Sequence, residues 1–118
     1  MINLLLVALG GALGSAARYG VGLAAARWLG AGFPWGTLVV NIAGGLAMGL
    51  LAARTQEGEA LRLLIGVGVL GGFTTFSAFS LETVRLMQQR PELGLAYIAA
   101  SLALSVGACW LGLMLGRP

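Results

Sequence analysis

Apolar positions run in four long blocks along the chain, and polar positions gather in the short gaps between them. The blocks place membrane-spanning helices at about 2–27, 35–53, 60–87 and 93–115. Each meets or nears the roughly 20 residues a helix needs to cross the hydrocarbon core. The gaps read LGAGFP, RTQEGE and QQRPE, the last with a proline that stops a helix. The first block is too long, and too poor in positive charge ahead of its apolar run, for a cleaved signal peptide. The pattern predicts an all-α membrane protein with four transmembrane helices in one domain over residues 1–118.

One block violates its own pattern. The third carries GGFTTFSAFS at 71–80, where glycines and hydroxyls replace the expected aliphatic run. A glycine costs about 1 kcal/mol relative to alanine in a helix interior, which weakens Gly71-Gly72. The hydroxyls of Thr74 and Thr75 compete for backbone groups. The third helix is therefore expected to break near its middle, between Gly71 and Thr75. Non-helical backbone at that depth must be buried in protein or satisfied by water or an ion. Freed carbonyls are hard oxygen ligands suited to an alkali cation. Phe76 and Phe79 share a face if the helix resumes. They serve either as ordinary core or lipid-facing aromatics, or as ring edges that attract an anion.

Composition removes whole classes of chemistry. The chain is 58% hydrophobic and 9% charged, where a soluble domain carries about a quarter charged residues. It has no histidine, aspartate or lysine, and its one cysteine is Cys109. A disulfide framework, a Cys/His metal cluster and the Ser-His-Asp and Cys-His triads are excluded, so no enzyme is expected. The net charge of +3 comes from seven arginines spread along the chain, which gives no basic patch for a nucleic acid.

On the predicted topology, Arg54, Arg62 and Arg117 fall on one side of the membrane. Arg27, Arg85 and Arg90 fall on the other, and Arg18 lies inside the first span. The acids divide as evenly, Glu57 and Glu59 against Glu82 and Glu92. The positive-inside rule then sets no orientation. Small counts tie by chance; the alternative is insertion both ways, giving an antiparallel homodimer whose two-fold axis lies in the membrane plane. Such a dimer recreates between two chains the inverted repeat that larger transporters carry in one.

Polar residues inside the spans are the candidate chemistry. Arg18, in GSAARYG, either snorkels to the interface, sets a positive charge at the mouth of an anion path, or ties the first helix to neighbouring carbonyls. Asn41, in GTLVVNIAGG with Thr37 a turn earlier, pairs with another helix or offers a neutral N–H donor to an anion. Ser105, one turn past Ser101 and near Tyr97, adds hydroxyl donors. Glycine pairs such as Gly10 and Gly14 have the small-xxx-small spacing of closely packed helices.

GGALGSAARYG, GTLVVNIAGGLAMG and GGFTTFSAFSLE, in this order on successive spans, resemble the signature segments of the CrcB/Fluc family of fluoride channels. The resemblance covers essentially the whole chain. It implies a passive channel that exports cytoplasmic fluoride and gives fluoride resistance, in the plasma (inner) membrane of a prokaryote. It also implies a dual-topology homodimer in membrane lipid, with two antiparallel fluoride pores and a structural sodium ion at the dimer axis. By that similarity Phe76 and Phe79 are the pore phenylalanines and Asn41 the pore amide. Thr37, Tyr97 and Ser105 are pore-lining hydroxyls, Glu82 lies along the path near one end, and Arg18 matches the family's first-span arginine. Gly71 and Thr74 offer backbone carbonyls to the sodium. Ala78 departs from the threonine expected there. Two other classes compete. A four-span proton-coupled multidrug exporter needs a membrane-embedded carboxylate, for which Glu82 is the candidate. A purely structural bundle explains the glycines but not the hydroxyl and phenylalanine cluster.

Overall fold

The computed structural model describes residues 1–54 and 58–117; Glu57, one of the acids weighed above, lies outside them. Among the described residues, four helices are long and apolar enough to cross a membrane: α1 (Ile2–Leu29), α2 (Trp35–Ala53), a third span over Glu59–Gln89, and α5 (Pro91–Leu115). The third span consists of two helices, α3 (residues 59–73) and α4 (Ser77–Gln89). The longest dimension is 46 Å, close to the roughly 40–45 Å of a bilayer with its headgroup regions. The protein is a multi-pass membrane protein.

Helix ends follow local chemistry. Gly30 closes α1 at a φ of 86°, a conformation glycine adopts without the Cβ penalty. The gap expected around Pro91 shrinks to the single residue Arg90. Proline occupies the first turn of α5, where its missing N–H has no helical partner to lose.

α1 packs on α3 and α2 on α5. A Cβ on Gly14 would overlap the Val69 carbonyl, and one on Gly49 the Cys109 carbonyl. The close approach foreseen from the glycine spacing is thus present. The surface reverses that of a soluble fold: Leu13 is 64% exposed and Trp110 64%, while Tyr97 is fully buried. Lipid covers such a surface at no hydrophobic cost, so the interior is free to hold polar groups.

The third span departs from expectation in two ways. Residues Arg62–Leu70 wind as a π-helix, whose i→i−5 bonding is rare and widens the helix; nothing in the hydrophobic pattern signals it. The break also falls later than the glycines suggest. Gly71–Phe73 is helical, and the chain becomes extended at Thr74 (φ −87°, ψ 160°). Gly72 serves contact instead of unwinding, since a Cβ there would sit 2.6 Å from the Gly11 carbonyl of α1.

Candidate ion pathway

A span that stops being helical must place its backbone groups elsewhere. Here side chains of other helices take them. The Asn41 amide, on α2, grips one residue of the break at both ends. Its Nδ2 donates to the Thr75 carbonyl at 3.0 Å and its Oδ1 accepts from the Thr75 N–H at 2.8 Å. From α1, the Arg18 Nε donates to the Gly72 carbonyl at 3.1 Å. The Thr75 hydroxyl accepts from the Ala78 N–H at 3.1 Å, serving a first-turn donor of α4. Among the described residues, no hydrogen bond ends on the carbonyls of Gly71 or Thr74. Those two oxygens fit a hard cation that accepts oxygen ligands.

Beside the break lies an open groove of about 490 Å³. Asn41 and Gly45 of α2, Thr74 and Phe76 of the break, Phe79 of α4 and Ser105 of α5 face it. Ser101 lines it too, and among the described residues the buried hydroxyls of both serines have no hydrogen-bond partner. An unpaired buried hydroxyl costs about 1–3 kcal/mol, and two of them lie on one wall of the groove. The Phe76 and Phe79 rings are 5.6 Å apart and tilted by 46°. A tilted pair presents edges as well as faces, and the edges carry the positive end of the quadrupole.

From Phe79 the aromatics continue outward. Tyr97 lies 5.2 Å from Phe79, and Phe33 meets Tyr97 edge-on at 5.4 Å. The Tyr97 hydroxyl donates to Glu82 Oε1 at 3.0 Å, and Thr37 sits beside the same phenol. Glu82 opens into a second cavity of about 370 Å³, walled by Phe33, Trp35 and Arg85 near the turn between α1 and α2.

The predicted residues therefore fall into three groups. Asn41, Phe76, Phe79 and Ser105 share the groove with Gly71 and Thr74. Thr37, Tyr97 and Glu82 form a second cluster against it. Arg18 lies outside both linings and ties α1 to the break, one of the three roles open to it from sequence. Sequence reasoning missed Thr75 as the partner of Asn41, Phe33 as a wall of Tyr97, and Ser101 as an equal of Ser105. Only Ser101 left a trace, in its four-residue spacing from Ser105.

Four spans, a broken third helix and a groove lined by amide, hydroxyl and aromatic side chains define a small multi-pass membrane protein. The CrcB-like protein (Camphor Resistance) family pattern matches residues 5–113. The chain belongs to that family. It is 53% identical over 123 residues to a fluoride-specific ion channel FluC of Caulobacter sp. (strain K31), covering 99% of this chain and 96% of the relative. The protein of that name from Phenylobacterium zucineum (strain HLK1) is 55% identical over 124 residues, covering 99% and 97%. That from Agrobacterium fabrum (strain C58 / ATCC 33970) is 53% identical over 123 residues, covering 99% and 98%.

Proposed function

We propose that this protein is a passive fluoride-selective channel of a bacterial inner membrane, exporting cytoplasmic fluoride and giving fluoride resistance. The observation that carries the reading is the groove, which Ser101 and Ser105, with hydroxyls unpaired among the described residues, line together with the tilted Phe76–Phe79 pair. Neutral donors and ring edges attract a small anion without trapping it, as conduction requires. The free N–H of the Asn41 amide is a further donor, its other N–H being held by Thr75. A negative-inside potential drives an anion outward with about 2.3 kcal/mol per charge per 100 mV, so no energy source in the protein is needed. Thr37, Tyr97 and Glu82 continue the path outward, and Arg18 supports it by holding the break.

The assembly that suits this reading is an antiparallel homodimer in lipid. Phe76 is 76% exposed in the single chain, and the groove lies open beside it. A second copy across a two-fold axis at the break would close both. The carbonyls of Gly71 and Thr74 would hold a structural sodium ion there, whose charge draws the two breaks together. A proton-coupled exporter is less well served, because Glu82 is engaged by the Tyr97 hydroxyl.

Expression in a bacterium stripped of its own fluoride export tests the function. Growth at fluoride concentrations that stop the host is expected with the wild-type chain and not with Phe79→Ile. Wild-type expression at normal membrane levels without rescue would overturn the reading. Sodium replacement tests the cation: the dimer is expected to melt at a lower temperature when a bulky organic cation replaces sodium, and an unchanged melt would remove the ion from the account.

A further inference from the structure

The cavity at the outer end of the pathway presents a problem that the anion-channel reading creates, and the inference rests on that reading. Glu82 lines this cavity, and its Oε1 is the acceptor of the Tyr97 hydroxyl. The phenol thus supplies a hydrogen bond to the carboxylate and not to an incoming anion. A carboxylate at a channel mouth repels the ion it is meant to admit, and low-dielectric walls strengthen that repulsion. Something in the cavity must offset it.

Arg85 is placed to do so. It lies three residues beyond Glu82 on α4, on the same helix face, and lines the same cavity. Leu86 and Gln89 continue that face, while Phe33 and Trp35 form the opposite wall. Arg85 is exposed, and among the described residues it takes part in no ion pair. Among the described residues, Arg85 and Glu82 are the two charged ones in the cavity lining. We propose that Arg85 is a rate-determining residue for anion entry: its charge cancels the repulsion of Glu82 at the mouth and gathers small anions there before they pass the Phe33–Tyr97–Phe79 layer. The residue acts on the ion through its field and makes no contact with the groove.

The experiment is fluoride efflux from liposomes containing the full-length protein, at low internal fluoride so that entry limits the rate, with and without added potassium gluconate. Arg85→Gln is expected to cut efflux about tenfold at low ionic strength, the lower end of the scale on which fields in clefts act on arrival rates. The deficit should shrink as the Debye length falls to about 8 Å near physiological salt. Arg85→Lys should conduct like the wild type. Adding Glu82→Gln to Arg85→Gln should recover part of the loss, because the uncompensated charge is then gone and the acceptor for Tyr97 remains. Arg85→Gln conducting at the wild-type rate in low salt would overturn the proposal. A deficit that neither salt nor Glu82→Gln relieves would overturn it too, since that marks a structural role. Absence of efflux from the wild type would instead fail the channel reading itself.

Discussion

The third and fourth spans are both long and apolar enough to cross a membrane, yet they satisfy their backbones in opposite ways. α5 runs unbroken over 25 residues and pairs its own N–H and C=O groups from turn to turn. The third span winds as a π-helix over Arg62–Leu70, loses its helix at Thr74, and resumes only at Ser77. Its interrupted bonds are replaced by Asn41 from α2 and Arg18 from α1. The contrast separates two jobs. A self-sufficient helix contributes packing and a fixed wall bearing Ser101, Ser105 and Tyr97, whereas a helix that depends on its neighbours can hold open carbonyls and turn aromatics into a groove.

Substitutions in the two regions should accordingly fail differently. The largest effect is expected from Asn41→Asp. Aspartate cannot donate to the Thr75 carbonyl and sets a negative charge against it, so fluoride efflux should fall to near background while circular dichroism still reports four helices' worth of signal. Arg18→Met comes next. It strands the Gly72 carbonyl, a loss on the order of 1–3 kcal/mol, which a lowered melting temperature and a several-fold drop in efflux would register. Gly49→Val probes the packing of α2 on the unbroken α5. Overpacking against the Cys109 carbonyl should cost about 1–3 kcal/mol and reduce the yield of folded protein, with efflux per folded molecule unchanged. If Gly49→Val abolished conduction in well-folded protein, the division between packing and conducting regions would collapse. The smallest effect belongs to Ser105→Ala, which removes one of two neighbouring hydroxyls and should slow efflux only a few-fold, with Ser101 still in place.

These differences also explain how much could be read in advance. Four spans were legible because hydropathy is summed over about 20 residues and tolerates local exceptions. A disturbance near Gly71 to Thr75 was legible because hydroxyls and glycines crowd one turn. Its exact place was not, because it depends on a hydrogen-bond partner 34 residues away in sequence, Asn41 to Thr75. The role of Arg18 is set by a carbonyl 54 residues away, which local pattern cannot choose among three alternatives. The π-helical winding left no mark at all, since residues 62–70 read as an ordinary apolar helix. Residue types singled out Asn41, Phe76, Phe79 and Ser105, which line the groove, and Thr37, Tyr97, Glu82 and Arg18, which do not; only the fold showed that Asn41 faces Thr75 and that Tyr97 faces Glu82.

The central claim is that the neighbours of the broken third span build an anion path beside it. Its most direct test is a fluoride electrode reading efflux from liposomes loaded with potassium fluoride, potassium permeability being supplied by an ionophore. The account predicts rapid efflux with the wild-type protein, far slower efflux when chloride is the trapped anion, and background efflux with Asn41→Asp. Wild-type efflux no faster than from protein-free liposomes would contradict it.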